Sequence, residues 1–167
     1  MTLSGLHLLL TYECPSECDH CFVWSSPRQT GTLTIARFER ILDQAAALGS
    51  IEWMYFEGGE PFLYFATLRH AVFAAAARGF KVGIVSNAFW ANGPEEAIAA
   101  LSDLRGKVLD LSLSCDHYHG GPDHERRVGW VRDAAGMLGI PCGVIRVAGP
   151  GDGAAEPKGQ LPRGARA

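Results

Sequence analysis

The sequence lacks any early apolar run long enough to cross a bilayer. Leu8-Leu9-Leu10 falls far short of the ~20 apolar residues that a membrane helix needs. It also lacks the charged start and small-residue cleavage site of a secretory signal. The expected setting is therefore the cytoplasm, with reduced thiols. No long basic run occurs, and the formal net charge is −3. That balance gives no electrostatic footprint for nucleic acid, so a nucleic-acid partner is disfavoured. An even set of cysteines is missing too. There are five, and three of them, Cys14, Cys18 and Cys21, fall within eight residues. Such crowding fits metal binding better than a disulfide framework.

What is present suffices for one core. The chain has 167 residues, 47% of them apolar and 20% charged, which suits a single domain. A strand-then-helix pattern recurs along it. The first strand is expected at Leu6 to Tyr12, followed by a helix from Ile35 to Leu48 with Thr34 as N-cap and Gly49 as stop. Strand two is expected at Ile51 to Phe56, then a helix from Phe65 to Arg78. Strand three spans Lys81 to Ser86, and Pro94 opens a third helix. Strand four spans Val108 to Ser114. A fourth helix ends at Gly139, and strand five covers Cys142 to Ala148. Five strands with four helical connections imply an α/β fold with parallel pairing and right-handed crossovers.

The order of elements leaves an open doubly wound sheet and a partial barrel both available. In strand four, Leu109, Leu111 and Leu113 alternate with Asp110, Ser112 and Ser114. The leucines pack under helices, and the other side faces either a polar lumen or, in an edge strand, water. Residues 1–148 are read as the folded core. From Gly149 to Ala167 only Leu161 is large and apolar, so a loose tail is expected there.

The three cysteines follow strand one, at the carboxyl end of the sheet where ligands usually sit. A Cys-x3-Cys-x2-Cys loop can wrap thiolates around zinc or an iron–sulfur cluster. Three cysteines leave one metal position open unless His20 or another residue fills it. At the end of strand two comes Phe56-Glu57-Gly58-Gly59-Glu60-Pro61. Paired glycines permit close backbone approach, and Glu60 can accept hydrogen bonds from an ammonium group.

Taken together, these segments resemble the radical S-adenosylmethionine (radical SAM) superfamily. CPSECDHC matches its Cys-x3-Cys-x2-Cys motif at Cys14, Cys18 and Cys21, and Gly58-Gly59-Glu60-Pro61 matches its Gly-Gly-Glu-Pro motif. The resemblance covers roughly residues 6 to 148. It implies a parallel-sheet partial (βα) barrel of the radical SAM type. It also implies a [4Fe-4S] cluster held by the three cysteines, with SAM on the fourth iron. His20 would then lie beside the adenine, and Gly58, Gly59, Glu60 and Pro61 would hold the methionyl amino group. Ser112 and Ser114 would contact the ribose or methionyl end, and Asn87 would join the pocket. The implied reaction is reductive cleavage of SAM to a 5′-deoxyadenosyl radical, which takes hydrogen from a peptide or small-molecule substrate. An electron donor such as flavodoxin or ferredoxin is implied as partner. The family core has six strands, whereas about five are visible here. The sixth is read as missing, which suggests a shortened form of a longer enzyme or one that borrows a strand. The alternatives are a non-catalytic zinc or iron–sulfur binding module and an inactive truncated remnant of a longer radical SAM enzyme.

Several further residues are expected near the site. The stretch from Cys115 to His124 holds half of the six histidines. His117 and His119 are candidate acid/base groups, and with Asp116 they form a less favoured second metal site. Cys115 and Cys142 read as core fillers. His7 and His70 are assigned no role. Arg146 faces away from Ile145 and Val147, and would meet a carboxylate if that face were the lumen.

Overall fold

The structure is a computed structural model that describes residues 2–147 (for His117, the backbone). Five strands form one parallel sheet in the order β1-β2-β3-β4-β5: Gly5–Thr11, Trp53–Gly58, Lys81–Ser86, Val108–Ser114 and Cys142–Ile145. Helices α1 (Ile35–Leu48), α2 (Phe65–Ala77), α3 (Pro94–Ser102) and α4 (Gly121–Leu138) connect them. Short 3₁₀ turns at Pro61–Tyr64 and His117–His119 precede α2 and α4.

Each crossover steps one strand in the same direction. Right-handed connections that always step the same way place every helix on one face. The sheet is therefore singly wound, as in a barrel wall, and its other face is free to line a lumen. The strand-four pattern follows. Leu111 and Leu113 are fully buried under the helices, and Asp110, Ser112 and Ser114 face inward. Leu109, at the start of the strand, remains exposed.

Local sequence explains the element ends. Thr34 accepts a hydrogen bond from the Arg37 N–H at 3.3 Å, and Gly49 closes α1 with φ 68°. Gly139 closes α4 in the same left-handed conformation. The core lies between sheet and helices. Phe38 and Phe56 meet there edge to face at 5.7 Å, with Leu42, Leu68 and Ile84 fully buried around them. Burying each such side chain contributes about 1.5–3 kcal/mol.

The largest boundary shifts are in strands two and five. Strand two starts and ends two residues later, which brings Glu57 and Gly58 into β2. Strand five ends at Ile145, so Arg146 and Val147 follow it. Ala148 and the expected tail lie outside the described residues. Among the described residues, no helix is long and apolar enough to cross a membrane.

Candidate active site

The segment after β1 is pinned at both ends. Thr11 donates to the Gly31 carbonyl at 3.0 Å and accepts from the Glu13 N–H at 3.0 Å. Isolated bridges join Thr11 to Thr32 and Glu13 to Ser26. Within this closed loop, the Cys14 N–H donates to the Ser26 carbonyl at 3.2 Å, and the Cys21 N–H to the Cys18 carbonyl at 3.0 Å. All three cysteines line one cavity of about 430 Å³. Cys14 and Cys18 are buried and Cys21 is half-buried.

Two hydrogen-bond donors point at sulfur. Asn87 Nδ2 lies 3.4 Å from Cys14 Sγ, and the Ser25 N–H lies 3.3 Å from Cys21 Sγ. Burial pushes the Cys14 thiol up to about 12, with Glu60 and the neighbouring cysteines adding to the rise. A lone thiolate is thus costly there, and a thiophilic cation offsets the cost. The donor set therefore fits a soft metal or a cluster.

The Gly-Gly-Glu-Pro segment meets this loop directly. The Gly59 N–H donates to the Thr11 carbonyl at 2.7 Å, and the Glu60 N–H to the Glu13 carbonyl at 2.9 Å. A Cβ on Gly58, whose φ is 134°, would lie 2.4 Å from the Thr11 oxygen. On Gly59 it would lie 2.0 Å from the Glu13 oxygen. The glycines thus serve first to let the cysteine loop approach β2. Their exposed edges also line the cavity, as a ligand cradle requires.

Glu60 and Pro61 sit behind this wall. Glu60 is fully buried. It accepts from Ser86 Oγ at 2.9 Å, from the Asn87 N–H at 2.7 Å and from the Phe62 N–H at 3.1 Å. Burial pushes its pKa up to about 7 against those three donors. Its side chain ties the end of β2 to the end of β3, and the cavity-lining part of the motif is Gly58-Gly59. Ser86 extends the tie by accepting from Trp90 Nε1 at 3.0 Å, and Trp90 stacks on Phe62 at 4.3 Å.

Ser112, Ser114 and Asn87 line the cavity, as does His20. His20 belongs to a buried cluster with Asp116 and His119. His119 Nδ1 donates to Asp116 Oδ1 at 2.7 Å, and His20 Nε2 lies 3.7 Å from Asp116 Oδ2. Asp116 also accepts from the Tyr118 and Val147 N–H groups, at 3.0 and 3.2 Å. Burial opposes its ionisation. The bonds from His119 and Val147 and the nearby His20 prevail, holding it below the usual carboxylate range. Ligand atoms of the three side chains lie within 4.8 Å of one another, so the cluster can hold a divalent ion or share protons. Of the two histidines singled out as acid/base candidates, His119 lines the cavity. His117 opens the 3₁₀ turn.

Among the lining residues that sequence reasoning missed are His7, Tyr55 and Glu57. The available signal was the alternation of Trp53, Tyr55 and Glu57, which puts them on one strand face. It also missed His124, which donates from Nε2 to the Ser114 carbonyl at 2.8 Å. Ile145 and Val147 line the cavity, so Arg146 points away from it. Cys115 is buried in the core, as its alternation with Ser114 implies.

Comparisons with known proteins agree with this geometry. Residues 8–157 match the Radical SAM superfamily. A PqqA peptide cyclase of Methylobacterium sp. (strain 4-46) is 31% identical over 135 residues, covering 78% of this chain and 32% of that protein. YydG of Bacillus subtilis (strain 168), whose name provisionally assigns it to peptide biosynthesis, is 27% identical over 111 residues, covering 66% of this chain and 35% of YydG. The chain thus spans about a third of the length of these relatives. Among solved structures, BtrN in complex with AdoMet and 2-DOIA superposes with TM-score 0.65 at 19% identity, over 87% of this chain and 57% of BtrN. Methylornithine synthase superposes with TM-score 0.61 at 13% identity, over 86% of this chain and 44% of that one. Those two likenesses establish the fold, and the sequence match over residues 8–157 establishes the lineage: the chain belongs to the radical SAM superfamily.

Proposed function

We propose that residues 1–148 form the cluster- and SAM-binding core of a radical SAM enzyme that modifies a peptide. The observation that carries this reading is the joint between the two motifs. Gly58 and Gly59 fit against the backbone of Thr11 and Glu13 so closely that no side chain has room, and cradle and cysteines open onto one cavity. A structural zinc site needs no such cradle.

Cys14, Cys18 and Cys21 hold the [4Fe-4S] cluster in this reading. When bound and reduced by a flavodoxin- or ferredoxin-type donor, the cluster with SAM supplies the 5′-deoxyadenosyl radical that removes hydrogen from the substrate. The protein's own part is placement and shielding. The Gly58–Gly59 edge receives the methionyl end, and Glu60 and Pro61 stiffen that edge from behind. Ser112 and Ser114 face the ribose or methionyl end, and His20 lies beside the adenine. Asn87 donates to Cys14 and closes the wall next to it. His119, held by Asp116, presents an imidazole to the substrate side. The peptide class rests on the likeness to a PqqA peptide cyclase and to YydG.

Anaerobic reconstitution tests the reading. About four irons and four sulfides per chain are expected, with 5′-deoxyadenosine released on reduction with SAM. Cys14→Ala, Cys18→Ala and Cys21→Ala each lose the cluster, and Cys115→Ala keeps it. Zinc at about one per chain with no iron would refute the proposal. So would a full cluster that never cleaves SAM.

A further inference from the structure

The inner face of the sheet below the cysteines carries polar contacts that neither motif uses. Trp53, Tyr55 and Glu57 alternate onto that face of β2. His7 on β1 is the register partner of Tyr55. Its ring lies flat on the Tyr55 ring, with centroids 4.8 Å apart and planes within 7°. His7 Nδ1 also donates to Glu57 Oε1 at 3.0 Å.

Tyr55 then reaches over β3 to β4. Gly83 makes the passage possible, because a Cβ there would lie 2.2 Å from the Tyr55 ring. The Tyr55 hydroxyl donates to Asp110 Oδ2 at 2.9 Å, and Ser112 Oγ donates to Asp110 Oδ1 at 3.1 Å. Burial and this bond push Tyr55 up to about 12, so its hydroxyl stays a donor.

The carboxylates of this floor are partnered by histidines, hydroxyls and backbone N–H groups. Among the described residues, the cavity lining includes Glu57 and Asp116 and no lysine or arginine. No described lysine or arginine pairs with Glu57 or Asp110. Both described partners of Asp110 are neutral hydroxyls. Glu57 Oε1 accepts from His7, while Oε2 accepts no hydrogen bond from a described residue. Partly buried carboxylates attract a cation several-fold more strongly than they would in bulk water.

Resting on the radical SAM reading above, we propose that the substrate carries an alkylammonium or guanidinium group. This group seats on Glu57, beside the stacked His7, Tyr55 and Trp53 rings, with Asp110 behind. In a peptide it is a lysine or arginine side chain, or a free amino terminus. Tyr55 lies three residues, about 10 Å of strand, below Gly58. A substrate anchored there directs its neighbouring carbons toward the cradle.

The test is ligand-observed saturation-transfer NMR with N-acetyl-lysine-N-methylamide and its norleucine and glutamate counterparts. It is run on the full chain, purified anaerobically without cluster and again after reconstitution with SAM. The lysine probe is expected to bind in both forms, the norleucine probe about tenfold more weakly, and the glutamate probe not at all. Glu57→Gln, with its melting temperature checked, is expected to weaken lysine binding about tenfold. Equal binding of norleucine or glutamate by the unmodified protein overturns the proposal whether or not the variant folds. Unchanged lysine binding in folded Glu57→Gln overturns it as well. Lysine binding without 5′-deoxyadenosine formation leaves the cation site standing and sinks the radical reading. Cleavage of SAM with no preference for lysine does the reverse.

Discussion

Replacing Gly59 with alanine adds one carbon at the joint on which the site depends. That carbon would sit 2.0 Å from the Glu13 carbonyl oxygen and 2.6 Å from its carbon, both of them backbone. No rotamer change relieves such a contact, so the cysteine loop must move away from β2. Overpacking of this kind costs about 1–3 kcal/mol, and a net loss of about 1 kcal/mol attends each broken backbone hydrogen bond. Two such bonds cross the joint, from Gly59 to Thr11 and from Glu60 to Glu13. The sum is about 3–5 kcal/mol, a large share of the ~5–15 kcal/mol that holds a domain together. At ~2–4 °C per kcal/mol for a chain of this size, the melting temperature should fall by roughly 6–20 °C. Reconstituted iron should fall with it, because the cysteines would no longer share one cavity.

The control is Gly136→Ala on the exposed side of α4, where an added Cβ meets nothing within 4 Å. Alanine there should stabilise the chain by about 0.5–1 kcal/mol through helix propensity and leave iron unchanged. The experiment compares thermal melts and iron content of the two variants with the parent. A Gly59→Ala protein that melts within about 2 °C of the parent and carries a full cluster would refute the packing argument.

Other perturbations probe the supports of the site. Glu60→Gln presents an amide N–H₂ to a pocket built of three donors, so urea unfolding should show a loss of about 1–3 kcal/mol. Asn87→Ala removes the donor to Cys14. With the proposed cluster on Cys14, a hydrogen bond to its sulfur favours the reduced state, so a redox titration of the reconstituted variant should show the potential lowered by about 20–60 mV, the one-electron equivalent of a bond worth ~0.5–1.5 kcal/mol. His124 is buried against the Ser114 carbonyl, and burial holds its pKa below the ordinary value of 6.5. The unfolded chain therefore binds a proton that the folded chain refuses. Its contribution is complete above pH 6.5 and declines as pH falls through the window below that value. Denaturation of His124→Gln and the parent at pH 7.5 and pH 5.5 should show that part of the pH slope vanish in the variant; an identical slope in both would discard the assignment.

Much of the fold was legible because its signals are local. Thr34 and Gly49 bracket a helix whose ends the structure reproduces at Ile35 and Leu48. The alternation in Val108–Ser114 separates a leucine face from a serine face, and both are where the pattern puts them. Barrel wall or open sheet was a different matter. That choice depends on which strand pairs with which, and only the observed order, stepping one way, places all helices on one side. The late start of β2 has a similar origin. Trp53 pairs with Gly5 on one side and Lys81 on the other, and those partners are far apart in sequence.

The site divides along the same line. Cysteine spacing is local, so the three thiols were readable and do meet at one cavity. What a given side chain faces is not local, and the two glutamates of Glu57-Gly58-Gly59-Glu60 show why. By residue type either could receive a cation, and the one inside the motif drew that reading. In the structure Glu60 turns away and takes three donors from Phe62, Ser86 and Asn87. A carboxylate so satisfied has little left to offer a ligand, and its role is to lock strand ends together. Three residues earlier, Glu57 takes one described donor, His7, which lies fifty residues away in sequence. Glu57 lines a cavity whose described lining has no lysine or arginine. The difference between a structural and a ligand-seeking carboxylate is thus a count of donors supplied from other strands. Strand pairing sets that count, and the motif does not contain it.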